Sequence, residues 1–222
     1  MVTLSEENYL KAIYHLGKRG SLAVSTNAIA DKIESKASSV TDMLKKLSEK
    51  QLVNYIKYQG VNLTESGKKT AASIVRKHRL WEVFLVEKLN FSWDEVHEIA
   101  EQLEHIKSDK LINQLDEFLG NPSHDPHGDP IPDKDGNIPE FQKILLSQIN
   151  ENVNCFCAGV KDSSASFLKY LDKHNIGLET SIMVQHKEPF DESMIILVNN
   201  QKLTISKEIS NNLYVKFTND DR

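Results

Sequence analysis

The chain is predicted to be mainly α-helical with a C-terminal β domain. Three observations predict it. Near the N-terminus two short helical periodicities, joined by a tight turn, precede an alternating hairpin pattern; residues 68–119 keep a helical period; and beyond a proline-rich stretch the pattern changes to short β-rich runs. With 222 residues and 39% hydrophobic content the composition is that of a globular protein of one large or two small domains. No run approaches the roughly 18 apolar residues of a membrane span. The start, "MVTLSEENYLKAIYHL", is polar and acidic where a signal peptide is basic and then apolar, so a cytoplasmic protein is expected.

Residues 5–17 carry apolar side chains at Tyr9, Leu10, Ile13, Tyr14 and Leu16, with Ser5 as the expected N-cap and Gly17 as the stop. "STNAIADKI" offers a cap at Ser25 or Thr26 and turns Ala28, Ile29 and Ile33 inward. After the break at "ESKA", a second helix aligns Val40, Met43, Leu44 and Leu47 on one stripe. Two short helices with a basic second member are the sequence form of a helix-turn-helix. The alternation Val53/Tyr55 and Val61/Leu63 around Gly60 reads as a two-stranded wing, and Thr64 and Glu65 open the next helix.

From residue 68 to about 119 the helical pattern is interrupted at "LNFSWDE", where Ser92 is expected to cap a helix starting at Trp93, and at "KSDK", where Ser108 or Asp109 caps another. Apolar surface at Leu80, Phe84, Leu85, Leu103, Ile106, Leu111, Leu115 and Phe118 exceeds what a small DNA-binding unit needs and suggests a dimerisation layer. Residues 120–139 hold five of the six prolines and mark a boundary. "VNCFCAGV", "SIMVQHKE", "SMIILVNN", "QKLTISK" and "LYVKF" then form a small β-barrel, with "ASFLKYLDKHNI" as a helical insert. The expected domains are a winged helix-turn-helix at 1–70, a helical metal-binding and dimerisation domain with its proline-rich loop at 71–140, and the β domain at 141–222. Cys155 and Cys157, one residue apart on a strand, are expected to be reduced structural thiols.

The net charge of −5 argues against nucleic-acid binding only as an average. Residues 36–79 hold ten Lys/Arg and three Asp/Glu, a surplus of seven positive charges, which leaves −12 for the remainder. Lys36, Ser38, Ser39, Thr41 and Asp42 lie at the turn and the start of the second helix, where small hydroxyls meet phosphates and thymine methyls. Lys45, Lys46 and Lys50 would neutralise backbone charge, and Lys57 and Tyr58 at the wing could reach a neighbouring phosphate. The plainer alternative is an amphipathic helix with a solvated lysine face.

In "HEIAEQLEH" the i, i+4, i+7, i+8 spacing places His97, Glu101, Glu104 and His105 on one helix face. Such faces are commonly just solvated, but His78 and Glu82 form a second i, i+4 pair on the preceding helix, and two helices presenting His and Glu can enclose a divalent cation. Imidazole and carboxylate without thiolate suit Mn²⁺, Fe²⁺, Co²⁺ or Zn²⁺, and the excess of carboxylate favours Mn²⁺ or Fe²⁺. His124, Asp125 and His127 lie in the proline-rich loop, where polar residues are ordinary.

The segments "NYLKAIYHL", "SSVTDMLKKLSEKQLV", "LTESGKK", "RKHRLWEVFLV", "VHEIAEQLEHIKSD" and "DPHGDPIP", in this order, resemble the diphtheria-toxin-repressor family of metal-dependent transcriptional repressors, in its manganese-type branch with a C-terminal SH3-like (FeoA-type) domain. The resemblance implies a primary metal site at Asn8, Glu101, Glu104 and His105, with Glu101 where iron-type members carry Cys. Asn8 departs from the usual Asp or Met. Lys11 stands where some manganese-type members carry Glu, which argues against a second ion bridged at that site. It implies a secondary site at His78, Glu82, His97, Asp125 and His127, with Asp162 as an acid from the third domain.

The function so implied is that of a homodimeric, Mn²⁺-activated repressor of metal-uptake genes that binds a palindromic DNA operator, with no enzymatic activity. Fe²⁺ is the alternative physiological metal, and Zn²⁺ or Co²⁺ would substitute in vitro. The rival classes are a di-metal hydrolase or oxidase, and a metal-independent winged-helix regulator.

Overall fold

The computed structural model describes residues 2–57, 59–139 and 143–217; Tyr58 lies outside them. Two compact units interleave along the chain, whereas the three expected domains are consecutive. The first holds residues 1–81, 100–121 and 131–139, the second residues 82–99, 122–130 and 140–222.

In the first unit, α1 (Leu4–Leu16) starts two residues before expectation. The cap is Thr3, not Ser5: its Oγ1 accepts the Glu6 N–H while the Glu6 carboxylate accepts the Thr3 N–H, a reciprocal box that satisfies two otherwise unpaired donors. α2 (Thr26–Lys32) is capped by Ser25, and α3 (Ala37–Glu49) buries Val40, Leu44 and Leu47. The turn between them passes through Glu34 at φ 51°, which ends α2 sharply enough for α3 to cross it.

The wing pairs β1 (Val53–Ile56) with β2 (Gly60–Leu63) in antiparallel register, Val53 opposite Leu63 and Ile56 opposite Gly60. Val24 adds a bridge to Val61 and so ties the wing to the segment before α2. Leu10, Ile13, Ile29, Leu44, Leu47 and Val61 form one core in which the helix-turn-helix and the wing are packed together.

α4 (Glu65–Leu89) begins directly after β2, with the Thr64 hydroxyl accepting the Gly67 N–H. α5 (Val96–Leu103) starts at Val96, three residues later than expected, because residues 93–95 form a turn in which the Glu95 N–H reaches the Ser92 carbonyl. α6 (Asp109–Phe118) is capped by Ser108, as expected. α4 and α5 each contribute residues to both units.

The second unit contains a six-stranded antiparallel sheet built from β3 (Ile144–Leu145), β4 (Asn154–Val160), β5 (Ser181–Lys187), β6 (Met194–Val198), β7 (Gln201–Ile205) and β8 (Leu213–Lys216). Its order is β3-β8-β4-β5-β6-β7. The insert is α7 (Ala165–Lys173), which buries Leu168 and Leu171 on the sheet. A short α8 (Lys207–Ser210) precedes β8. Cys155 and Cys157 are buried and unbridged, and burial pushes their thiols up to about 12 and about 11, which makes them inert apolar side chains.

Gly67 lies where α4 meets the end of α3: a Cβ there would sit 1.9 Å from the Leu52 carbonyl oxygen, which already accepts the Thr64 N–H. Gly67→Ala is expected to cost about 1–3 kcal/mol through overpacking. Chemical unfolding followed by circular dichroism measures it, and an unchanged midpoint would contradict this packing.

Candidate metal centre and nucleic-acid interface

The exposed side of α3 and the turn before it carries Lys36, Ser38, Ser39, Asp42, Lys45 and Lys46. Thr41 is half-buried and its hydroxyl donates to the Ala37 carbonyl. Lys45 pairs with Asp42 at 3.2 Å, an exposed i, i+3 bridge that a phosphate can displace at little cost. Lys57 is exposed at the wing. Lys50 behaves differently from expectation: its ammonium is 2.7 and 2.8 Å from the two oxygens of buried Glu6. Burial alone would raise the Glu6 carboxyl pKa, but Lys50 and Thr3 hold it below the usual range. Lys50 therefore fastens α3 to α1.

In the second unit Glu82, Asp125 and His127 are all buried, and one donor atom from each lies within 4.8 Å of the others. Glu82 projects from the last part of α4. Asp125 and His127 come from the proline-rich loop, which is folded tightly: the Asp125 Oδ1 accepts the backbone N–H groups of His127 and Asp129, each at 2.9 Å. The Nε2–H of His127 donates to the Trp93 carbonyl at 2.8 Å, which leaves Nδ1 facing the Glu82 Oε2 at 3.7 Å. Fixing one ring nitrogen on a backbone carbonyl is how imidazole ligands are oriented toward metals. The Trp93 indole stacks on the same ring, 7° from parallel.

The loop reaches this position because of Gly128. It has φ +83°, and a Cβ there would lie 2.3 Å from the Ala158 carbonyl oxygen. The loop thus lies against β4 at its bulge, where the Val160 N–H donates to the His127 carbonyl. His97, exposed at the start of α5, holds its Nδ1 3.4 Å from the Glu82 Oε1. Burial opposes a charge on His127, but the facing Glu82 carboxylate, and then the charge of Asp125, outweigh it and push the ring up to about 9. Two buried carboxylates and an imidazole, with no thiolate, form a donor set that fits a hard or borderline divalent cation.

Asp162 does not join this group. Its two oxygens accept the Ser164 N–H and hydroxyl at 2.9 and 3.1 Å, so it organises the entry to α7.

The other expected site forms in part. In the first unit Glu104 is buried, and its Oε2 is 2.6 Å from the Nδ1 of His78. The His105 Nδ1 meets the Glu7 Oε2 at 2.6 Å, and its Nε2 is 3.9 Å from the Glu104 Oε1. Glu101, exposed on the same face, is 3.5 Å from the Lys11 ammonium. Asn8 is exposed on α1, a helical step of about 100° round from Glu7. Lys11, four residues from Glu7 on the inward face, reaches Glu104 at 2.6 Å. Glu7, not among the expected ligands, stands with Lys11 at the i, i+4 spacing that shares a face. Burial would raise the Glu104 pKa, but bonding to His78 and the charge of Lys11 bring it below the usual range.

An exposed basic helix-turn-helix with a wing, and a buried oxygen and nitrogen donor set on the same chain, define a DNA-binding protein with the ligands for a divalent cation. Family models agree: the iron dependent repressor N-terminal DNA binding domain matches residues 1–61, its metal binding and dimerisation domain residues 64–133, and the FeoA domain residues 144–217. The chain belongs to this family of metal-dependent transcriptional repressors, which are not enzymes, and the hydrolase or oxidase reading falls with that. It is 33% identical to a solved manganese-dependent transcriptional repressor in complex with manganese, with a TM-score of 0.82 over 95% of this chain and 98% of that one. It is 32% identical over 126 residues to the iron-dependent repressor IdeR of Mycobacterium tuberculosis, covering 57% of this chain and 54% of that protein. It is 44% identical over 86 residues, 39% of its length, to a probable metal transport system membrane protein of Chlamydia trachomatis, of which it spans only 19%. The chain thus spans about half or less of the length of these two curated relatives. Among the described residues no helix is long and apolar enough to cross a membrane.

With its pKa raised from 6.5 to about 9, His127 contributes ion-pair stability to the metal-free protein that is full below about pH 6.5 and lost as pH rises through about 9. Ring NMR of the metal-free protein should show this titration, and Glu82→Gln should return it to 6.5 or below. An unmoved titration in that variant would contradict the Glu82 contact.

Proposed function

We propose that the chain is a homodimeric, Mn²⁺-activated transcriptional repressor that binds a palindromic DNA operator in the cytoplasm and controls metal uptake. The observation that carries this reading is the buried Glu82, Asp125 and His127 cluster on a chain that also presents an exposed basic α3. These three residues, with His97 at the rim, hold the regulatory ion, which supplies the positive charge that two buried carboxylates demand.

Oxygen-rich donors favour Mn²⁺, and the manganese-bound structural relative supports that choice. Fe²⁺ is the second reading, supported by the mycobacterial relative named an iron-dependent repressor. Zn²⁺ and Co²⁺ bind the same donors in vitro, since imidazole and carboxylate accept both. Softer metals find no thiolate at the cluster.

Dimerisation is supported by Leu111 and Phe118, exposed seven residues apart on one face of α6. A two-fold axis would set the two α3 helices about one duplex turn, roughly 34 Å, apart. Coupling is supported by α4: one residue, Thr64, separates it from the wing, and it carries Glu82 on the same continuous helix. Metal affinity and DNA affinity must then rise together by the same factor.

Fluorescence anisotropy with a palindromic duplex should show Mn²⁺ raising affinity about tenfold or more. Glu82→Gln should lose that increase, while Lys46→Glu should weaken binding with and without metal and lower the salt slope by about one. Binding insensitive to a chelator would contradict metal activation.

A further inference from the structure

The donor atoms of the first unit already face a cation. The Lys11 ammonium lies 2.6 Å from the Glu104 Oε2, 3.5 Å from the Glu101 Oε1 and 3.3 Å from the His78 Nδ1. It is well removed from solvent, its side chain 13% exposed and that of Glu104 1%. The two arms of the contact come from α1 and from the turn that follows α5. Beside it Glu7 and His105 make a second link between the same elements at 2.6 Å. α1 is therefore fastened to the turn after α5 by the protein's own side chains.

An ammonium and a divalent cation cannot share Glu104 Oε2, because both need the same lone pairs and they repel each other. Lys11 is also tethered, so its effective concentration at the carboxylates is high at any bulk metal level.

We propose that Lys11 is a built-in competitor for divalent metal at Glu101, Glu104 and His105, so that these residues take an ion only after the Glu82, Asp125 and His127 centre has filled. This rests on the reading of the chain as a metal-responsive regulator. The two clusters then answer to different metal concentrations, and Lys11 sets the gap between them. Occupation of the weaker cluster requires the Lys11 side chain to leave Glu104 for solvent, a rotamer change that α1 can accommodate without unfolding.

The test is Mn²⁺ titration of the metal-free full chain by calorimetry, with free Mn²⁺ counted by electron paramagnetic resonance. Wild type should show one tight step that Glu82→Gln removes, and a second that is weaker or absent. Lys11→Met, or Lys11→Gln should the methionine variant not fold, is expected to tighten or create the second step by about tenfold or more, because a charge-assisted hydrogen bond no longer opposes the ion. The tight step should stay where it is, and Lys11→Arg, which keeps the charge, should behave as wild type. The proposal is overturned if neutral variants leave the second step unmoved, or if Lys11→Arg tightens it as much as they do. Glu82→Gln with undiminished metal binding would overturn the proposed centre instead, while the Lys11 comparison would still decide the competition.

Discussion

A carboxylate withdrawn from water must meet a cation, and the rest of this structure depends on how that demand is met. The cost of burying a lone carboxylate is several kcal/mol even after the protein relaxes. Glu6 is matched by Lys50, which binds α3 to α1; Glu104 by Lys11 and His78; Asp116 by Arg76. In the second unit Asp94 meets Lys169, while Glu82 faces the imidazoles of His97 and His127. Where the counter-charge is a lysine or an arginine, it is carried at any ordinary pH and opposes a metal ion. At Glu82 it is an imidazole, which can exchange its proton for a metal ion. That difference separates joints that oppose a metal ion from one that receives it.

Much of the fold was legible in the sequence because its signals are local. The apolar stripe Val40, Leu44 and Leu47 and the alternation around Gly60 depend on periods of 3.6 and 2 that any chain must obey to bury one face. Helix starts were less legible. At α1 the sequence offered two hydroxyls, Thr3 and Ser5, and only Thr3 has a Glu three residues on. At α5 the spacing of Ser92 and Glu95 imitates a capping box, yet residues 93–95 form a turn and the helix begins at Val96. Glu34 at positive φ leaves no sequence mark at all.

The candidate site divides in the same way. Glu82, Asp125 and His127 were legible as residue types, but their convergence depends on a loop folded on itself through Asp125 and seated on β4 through Gly128. Glu7 and Lys11 show the opposite case. The resemblance points to position 8, whereas the recorded contacts of α1 with Glu104 and His105 run through Lys11 and Glu7. Asp162 was out of reach for sequence reasoning, since its partner Ser164 is a local backbone and hydroxyl contact with no periodic signature.

Diffraction from crystals grown with Mn²⁺, recorded at the manganese absorption edge, addresses the regulatory centre most directly. The expected result is an anomalous peak within coordination distance of Glu82, Asp125 and His127 Nδ1 at an Mn²⁺ level where Glu104 still holds Lys11. A first peak at Glu101, Glu104 and His105, with Glu82 and His127 left facing each other alone, would contradict it.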